Sequence, residues 1–267
     1  MLICPKCKCA LYKNDKIYQC DNHHTFDIAK KGYVHLFLKN RKQTGDDKHM
    51  VKARTYFLEK GFYQPLCDQI LLFLKSLSFA KLVDAGCGEG YYTNQIADLF
   101  SKVDIYAFDL SKHAVHEACK GKKQVFYGVC SVADLPLNEK SIDIILSIFA
   151  PIQASEFHRV LKKEGYFLKV APGPKHLYEM KQILYTDVYD NDLQHTYDGF
   201  VLQEIKEVAY DIELCSKQDI EALFMMTPYY WKSPIEGSKK LLALDYLKTK
   251  VQFQIELYRC IGKEDDK

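Results

Sequence analysis

The sequence predicts an α/β protein with a doubly wound, mainly parallel sheet that follows a small metal-binding domain. Three observations lead to this prediction. From Lys81 onward, short runs rich in β-branched and aromatic residues alternate with helical periods. A glycine-rich turn, GCGEG at 86–90, follows the first of these runs. Four cysteines and two histidines lie within the first 24 residues, a composition unlike that of the rest of the chain.

Length, composition and cysteine usage favour a globular protein with reduced thiols. The chain has 267 residues, of which 48% are hydrophobic and 13% aromatic, enough to form a packed core. We find no apolar run near the roughly 20 residues that span a bilayer, and no secretion signal before the first cysteine. Six of the ten cysteines are scattered without regular spacing. We therefore expect a cytoplasmic protein with no membrane partner.

The net charge of +2 conceals an asymmetry along the chain. Residues 1–60 contain 13 Lys and Arg against 6 Asp and Glu, a net charge of +7, whereas the remainder has a net charge of −5. A basic first quarter on a mildly acidic protein indicates an anionic partner, with nucleic acid the leading candidate. A solvated lysine-rich face is the alternative interpretation.

Residues 1–36 form the predicted metal-binding domain. Cys4 and Cys7 form a two-thiolate hook, and Cys20 with a nearby histidine forms a second hook after 12 intervening residues. Two such hooks match a structural zinc site with three thiolates and one imidazole. The spacing does not choose between His23 and His24, and on distance alone Cys9 could replace Cys7. A segment this short has little core of its own and usually needs a metal to fold.

Residues 37–78 are predicted to join the two domains through a polar linker and two helices. The first helix follows the stretch LKNRKQTGDDKH, and Asp46 or Asp47 is placed to cap its start. Gly61 should end this helix and Pro65 should begin the second. The apolar face of the first helix is formed by Met50, Ala53, Phe57 and Leu58.

Basic residues of this joining segment are candidates for binding RNA phosphates. Arg54 could equally be a structural ion-pair partner. The candidates are Arg41, Lys42, Lys48, Lys52 and Arg54.

Residues 79–267 carry the alternating pattern of the α/β domain. The predicted strands are LVDAG, DIYAFDL, VFYGVC, IDIILSIF and GYFLKVA, with helices at Tyr92–Leu99, Lys112–Lys120 and Ser155–Leu161. The last third adds a helix near His176–Leu184, two strands around Phe200–Leu214, a helix at Lys217–Met225 and a final strand, VQFQIELYRCIG.

The glycine-rich turn is the strongest chemical signal. A buried strand ends in Asp84, and Gly86, Gly88 and Gly90 then lead into a helix. Missing side chains let the backbone approach a ligand at the carboxyl end of the strand. The next strand ends in Asp109, where a carboxylate can accept hydrogen bonds from ribose hydroxyls. The spacing is not the dinucleotide fingerprint, which disfavours a nicotinamide cofactor.

Three motifs in order resemble those of class I S-adenosylmethionine-dependent methyltransferases: DAGCGEGYYT, SVADLPL and RVLKKEGYFLKV. This resemblance implies a Rossmann-like sheet of seven strands and S-adenosylmethionine as the cofactor. It places Gly86, Gly88 and Glu89 at the methionine end. It places Asp109 at the ribose, and Ser131 and Val132 at the adenine.

Motifs along nearly the whole chain resemble the bacterial 23S rRNA guanine-N1 methyltransferases of the RlmA type. Three of them are continuous: CPKC, CDNHHTFDIAKKGYV and PGPKHL. The fourth is a set of spaced positions: Gly45, Asp46, Met50, Ala53, Arg54, Phe57, Leu58, Gly61, Tyr63, Pro65 and Leu66. The resemblance implies zinc bound by Cys4, Cys7, Cys20 and His24, and a cofactor enclosed by Tyr63 and His176. It also implies a 23S rRNA hairpin as substrate and suggests a homodimer. Without this resemblance, we would interpret Tyr63 as an interdomain packing ring and His176 as a surface imidazole.

The loop after the fourth strand, IFAPI at 148–152, lacks the Asn/Asp-Pro-Pro-aromatic motif of many amino-methylating relatives. Its absence argues against methylation of an exocyclic amine and leaves no evident general base, so we name no catalytic residue. Phe149, Tyr229, Tyr230 and Trp231 are candidates for a face on which a flipped purine stacks. Ordinary core aromatics are the alternative.

Other functions remain open from the core motifs. They fit a methyltransferase acting on a small molecule or another RNA, and also a non-enzymatic RNA-binding protein that senses the cofactor. The basic N-terminal quarter discriminates between an RNA and a small-molecule substrate. Intact Gly86, Gly88, Glu89 and Asp109 argue against the non-enzymatic alternative. If residues 1–36 recognise RNA, their removal should abolish RNA binding and leave cofactor affinity largely intact.

Overall fold

A computed structural model describes residues 2–38, 46–121 and 124–262. The N-terminal part contains a small antiparallel sheet of three strands in the order β1-β2-β3. These strands are β1 (Tyr12–Asn14), β2 (Ile17–Gln19) and β3 (Thr25–Asp27).

Within the described residues, a second sheet has eight strands in the order β10-β11-β9-β8-β5-β6-β7-β4. Its strands from β9 to β4 are parallel, and β11 lies antiparallel between β9 and β10. The strands are β4 (Val34–His35), β5 (Lys81–Ala85), β6 (Asp104–Asp109), β7 (Val125–Val129), β8 (Ile142–Ile148), β9 (Leu161–Pro172), β10 (Phe200–Leu214) and β11 (Leu247–Cys260).

Of the described helices, the first seven match helices that the sequence predicts and the last two do not. In chain order, the described helices are α1 (Lys48–Glu59), α2 (Gln64–Lys75), α3 (Tyr91–Leu99), α4 (Lys112–Ala118), α5 (Ala154–Val160), α6 (Tyr178–Leu184), α7 (Lys217–Met225), α8 (Tyr229–Lys232) and α9 (Ile235–Leu242). In this part of the chain, no helix is both long enough and apolar enough to cross a bilayer.

Local chemistry explains the start and end of the first two helices. Asp47, rather than Asp46, caps α1 by accepting hydrogen bonds from the backbone N–H groups of His49 and Met50. Gly61 follows α1 with φ +81°, a conformation that glycine adopts without strain. Pro65 lies in the first turn of α2, as the sequence predicted.

The seven strands implied by the resemblance are all present, but the sheet has an eighth. Its extra strand, β4, comes from the N-terminal segment and pairs in parallel with β7. One prediction was wrong within Phe200–Leu214, which forms a single strand with an irregularity between Leu202 and Glu204 instead of two strands. The sequence also gave no forecast of the short helices α8 and α9.

The N-terminal segment packs into the core on one face of the main sheet. Leu2, Cys4 and Val34 belong to the same buried cluster as Phe108 and Leu137. The zinc-binding segment is therefore continuous with the sheet that carries the cofactor turn.

Candidate cofactor pocket and metal centre

Cys4, Cys7, Cys20 and His24 converge at one point. One ligand atom from each lies within 4.8 Å of the other three. The Nδ1 atom of His24 is 3.5 Å from the Sγ atoms of both Cys4 and Cys20, and the Sγ atoms of Cys7 and Cys20 are 3.6 Å apart. A tetrahedral zinc with Zn–S bonds of about 2.3 Å requires S···S separations of about 3.8 Å. The four side chains therefore fit a closed structural zinc site.

Two tight turns present these ligands. In the first, the backbone N–H of Lys8 donates to the carbonyl of Cys4 at 2.8 Å, and the N–H of Cys4 donates to the carbonyl of Cys9 at 2.7 Å. In the second, the N–H of His23 donates to the carbonyl of Cys20 at 2.9 Å. Such turns aim both side chains of each hook at a common centre.

The neighbours that spacing left open lie outside the cluster. His23 has φ +57° and its Nδ1 atom is 3.4 Å from the side-chain amide of Gln19. The Sγ atom of Cys9 accepts a hydrogen bond from the side-chain amide of Asn22 at 3.6 Å. The geometry thus favours His24 over His23 and Cys7 over Cys9.

A cavity of about 1140 Å³ lies at the carboxyl ends of the parallel strands, where open α/β sheets bind ligands. It is lined by all eight residues that the sequence analysis connected with the cofactor: Tyr63, Gly86, Gly88, Glu89, Asp109, Ser131, Val132 and His176.

The glycine-rich turn forms one wall of this cavity. Gly86, Gly88 and Gly90 have φ values of +91°, +56° and +81°, in the region that disfavours side chains. A Cβ atom on Gly86 would lie 2.3 Å from the Cβ of Ala150. The backbone can therefore make this turn, close to the loop after β8, only with glycine at position 86.

Asp109 lies at the end of β6 and is held by the same turn. One carboxylate oxygen accepts a hydrogen bond from the Gly88 N–H at 3.0 Å, and the other accepts one from the Ser111 N–H at 2.7 Å. Burial raises the pKa of this carboxyl, against the lowering effect of these two hydrogen bonds. Each oxygen retains a lone pair, so Asp109 can accept two hydroxyl hydrogen bonds.

Arg54 lies inside the pocket rather than on the RNA-facing surface expected for it. Its guanidinium donates to the carboxylates of Glu89 and Asp46. Only 19% of its side chain is exposed. This is the ion-pair alternative that the sequence left open.

Tyr63 and His176 form an aromatic wall with Phe253. The ring centroids of His176 and Phe253 are 4.8 Å apart, and those of Tyr63 and Phe253 are 4.9 Å apart. His176 is 6% exposed, so the reading of it as a surface imidazole was wrong. Its Nδ1 atom accepts a hydrogen bond from the Gln252 N–H at 3.2 Å, and burial lowers its pKa to about 3. The imidazole is therefore neutral and carries its proton on Nε2.

Two buried polar atoms of the pocket have no hydrogen-bond partner among the described residues: Asp84 Oδ1 and Tyr92 Oη. Both residues line the cavity. The other Asp84 oxygen accepts a hydrogen bond from the Thr93 hydroxyl, and burial raises the Asp84 pKa to about 7. Unsatisfied buried atoms of this kind are costly unless a ligand supplies the partner. The sequence analysis noted Asp84 only as the end of a buried strand and did not assign it to the cofactor site.

The mouth of the pocket is aromatic. Phe149, Tyr229 and Trp231 line it, whereas Tyr230 does not and packs against Phe224, with 5.4 Å between ring centroids. Phe149 follows β8 with φ +56° and is 41% exposed. A bulky residue in this conformation is rare away from functional sites.

Helix α1 has two distinct faces. Met50, Arg54 and Leu58, four residues apart, line the pocket. Lys48 and Lys52, one turn apart, are exposed. The other two candidates for RNA binding, Arg41 and Lys42, lie outside the described residues.

Comparison with protein families identifies both parts of the chain. Residues 2–44 match the model of the RlmA N-terminal zinc ribbon, and residues 83–169 match a methyltransferase domain. These assignments coincide with the metal cluster and with the strands that form the pocket.

Curated relatives span most of the chain. YxjB of Bacillus subtilis, provisionally named a 23S rRNA (guanine-N1)-methyltransferase, is 32% identical over 88% of this chain and 88% of its own length. The 23S rRNA (guanine(748)-N1)-methyltransferase of Streptomyces fradiae is 33% identical over 68% of this chain and 67% of its own length. The chain belongs to the 23S rRNA (guanine-N1)-methyltransferase family.

Solved structures share the fold at low identity. The YcgJ protein of Bacillus subtilis has a TM-score of 0.51 and 15% identity, covering 73% of this chain and 98% of that one. A second likeness is to a chain from the complex of the Haloferax volcanii Trm112 methyltransferase activator with a provisionally named methyltransferase. Its TM-score is 0.51 and its identity 15%, and the match covers 82% of this chain and 100% of that one. These likenesses support the class I methyltransferase fold alone.

Proposed function

We propose that this protein transfers a methyl group from S-adenosylmethionine to N1 of a guanine in a 23S rRNA hairpin. The observation that carries the proposal is that the glycine-rich turn, Asp109 and an aromatic mouth meet in one cavity. Among the described residues, five carboxyl groups line this cavity, whereas Arg54 and Lys169 are the Arg and Lys side chains that line it. Such a charge balance suits a ligand with a cationic sulfonium and an ammonium group.

The residues of the pocket have separable roles in this proposal. Gly86, Gly88 and Glu89 border the methionine end, and Asp109 accepts the ribose hydroxyls. Ser131 and Val132 border the adenine. Tyr63 and His176 close the opposite side and exclude water. When bound, the cofactor supplies an electrophilic methyl, and these residues hold it in line with the nucleophile.

The proposed target atom constrains the substrate. Guanine N1 carries a proton at neutral pH and lies on the Watson–Crick edge, so the base must be unpaired or flipped out before reaction. Phe149, Tyr229 and Trp231 offer rings for stacking at the mouth of the pocket. Stacking of this kind contributes roughly 1–3 kcal/mol per base.

Basic groups beside the mouth are suited to the RNA backbone. Lys48 and Lys52 lie on the exposed face of the helix whose other face lines the pocket. Exposed lysines also occur on the zinc ribbon, at positions 6, 13, 16, 30 and 31. We infer that the ribbon and α1 together bind phosphates of the hairpin. We also infer that the protein acts in the cytoplasm. The homodimer remains a prediction, which sedimentation analysis would test.

The deciding experiment maps methyl transfer on ribosomal RNA from a strain that lacks the gene. We expect incorporation of labelled methyl into 23S RNA and a reverse-transcription stop at one guanine, since a methyl on N1 blocks base pairing. RNA from the parent strain, already methylated, is the matched control and should accept little label. No incorporation into 23S RNA would overturn the proposal and favour a small molecule or another RNA.

A further inference from the structure

The zinc ribbon, residues 2–36, contacts the segment of the catalytic domain that borders the adenine side of the pocket. Residues 131–133 line the cavity, and ribbon residues bind the chain immediately before and after them. We propose that the ribbon is a structural part of the cofactor site, so that zinc and S-adenosylmethionine bind cooperatively.

The ribbon binds the chain after residues 131–133. The backbone N–H of Ile3 donates to the carbonyl of Pro136 at 2.9 Å. Leu2 pairs with Leu137 in an antiparallel bridge. The ammonium of Lys8 lies 2.7 Å from Asp134 Oδ1, with both side chains more than half exposed. An exposed ion pair contributes little, so the backbone and apolar contacts provide most of this attachment.

The ribbon also binds the chain before residues 131–133. Val34 and His35 of β4 pair in parallel with Gly128 and Val129 of β7. The backbone N–H of Leu36 then donates to the carbonyl of Val129 at 2.8 Å. The adenine-side segment is therefore held by the ribbon on both sides.

These contacts depend on the metal hook. Leu2 and Ile3 directly precede Cys4, and the N–H of Leu11 donates to the carbonyl of Leu2 at 2.9 Å. Cys4 is fully buried, and it belongs to the same apolar cluster as Leu135 and Leu137. A structural zinc contributes directly to the folding free energy of a small module. Loss of the metal should therefore free the N-terminal residues that hold the loop.

A second anchor limits the size of the effect. Arg159 on α5 donates to the carbonyls of Leu135 at 3.0 Å and Leu137 at 2.9 Å. The N–H of Leu135 donates to the carboxylate of Glu156 at 2.6 Å. This anchor belongs to the catalytic domain and should survive zinc loss. We expect loss of zinc to weaken cofactor binding by about fivefold or more without abolishing it.

The inference rests on the proposed function only in taking the cavity as the S-adenosylmethionine site. Its test needs no RNA, so its failure is distinct from a failure to methylate 23S RNA. From the sequence we expected removal of residues 1–36 to leave cofactor affinity largely intact. Cooperative binding predicts the opposite.

The first experiment titrates the full-length protein with S-adenosylhomocysteine by calorimetry. We expect the zinc-loaded protein to bind it about fivefold or more tightly than Cys7→Ser, which lacks a ligand. Cys9→Ser removes a neighbouring thiol outside the cluster and should bind as the wild type does. Coupling is reciprocal, so S-adenosylhomocysteine should raise zinc affinity, measured against a chelator, by the same factor. Equal cofactor affinity in zinc-loaded and folded zinc-free protein would overturn the inference.

A second variant decides the matter if Cys7→Ser does not fold. Leu2→Ala keeps all four ligands but removes a side chain that is 8% exposed at the contact with Leu137. Leu38→Ala truncates a leucine that is 45% exposed and serves as the control. We expect weaker S-adenosylhomocysteine binding for Leu2→Ala with zinc content unchanged. Wild-type affinity in this variant would contradict the inference.

Discussion

The guanidinium of Arg54 on α1 forms an ion pair with the carboxylate of Glu89 in the glycine-rich turn. Asp46 pairs with the other side of the same guanidinium. Burial works against the charge, but the attraction of the two carboxylates outweighs it and raises the pKa of Arg54. The helix that follows the basic linker is thereby attached to the cofactor turn.

Replacing Arg54 with methionine should destabilise the protein strongly. The substitution leaves Glu89 without its cation in a buried site, which costs about 3–5 kcal/mol in comparable pairs. The free energy of unfolding, measured with urea, should fall accordingly. Lys52→Met, on the exposed face of the same helix, should change it by no more than about 0.5 kcal/mol. Equal stabilities of the two variants would show that the ion pair is unimportant.

Replacing Asp109 with asparagine should weaken cofactor binding by at least about tenfold, because hydrogen bonds to a charged group contribute about 1.5–3 kcal/mol. Asparagine also places an amide N–H₂ against the backbone N–H of Gly88 or Ser111. Calorimetric titration with S-adenosylhomocysteine measures the change. Asp104→Asn alters an exposed carboxylate at the start of the same strand and should have no effect. An unchanged affinity in Asp109→Asn would remove Asp109 from the site.

Asp84 should make the stability of the cofactor-free protein depend on pH. Its pKa is about 7 when folded and about 3.9 when unfolded, so the folded state binds more protons between these values. Stability from this group therefore falls as pH rises from about 4 to 7 and levels off above. Asp84→Asn removes the titration. Its stability relative to wild type should be more favourable at pH 8 than at pH 5, in urea unfolding. The same difference at both pH values would contradict this assignment.

Replacing Phe149 with leucine should impair the RNA reaction without affecting the cofactor. The ring is exposed at the pocket mouth, and loss of base stacking costs roughly 1–3 kcal/mol. We expect a lower kcat/KM for RNA and an unchanged affinity for S-adenosylhomocysteine. Tyr230→Leu is the matched control, because Tyr230 lies between Tyr229 and Trp231 in the sequence but does not itself line the pocket. Equal rates for the two variants would exclude stacking on Phe149.

Replacing His24 with alanine should sharply weaken zinc binding, since three thiolates cannot complete the tetrahedron. His23→Ala should retain one zinc per chain, because His23 is directed toward Gln19. Metal analysis of the purified proteins measures both. Zinc loss in His23→Ala alone would reverse the assignment.

Much of the fold was predictable because its signals are local. The Asp47 side chain caps α1 by bonding to backbone N–H groups two and three residues later, and Pro65 begins α2. The glycines at 86–90 turn the chain between a strand and a helix. The prediction failed where the outcome depends on distant partners. Residues 200–214 form one long strand because β11 pairs with them on both sides of the irregularity between Leu202 and Glu204.

The sequence by itself determined the methyltransferase motifs, and spacing narrowed the metal ligands to six candidates, because it limits which side chains can share a centre. The family resemblance then selected Cys4, Cys7, Cys20 and His24 among them. The tertiary structure alone decided the roles of Arg54 and the zinc ribbon. In the sequence Arg54 fits either a phosphate contact or an ion pair, and the fold decides for the ion pair by bringing Glu89, 35 residues away, beside it. The ribbon reads as a separate domain until Ile3 meets Pro136 and β4 joins β7. Contacts between such distant residues arise from packing, and no local pattern encodes them.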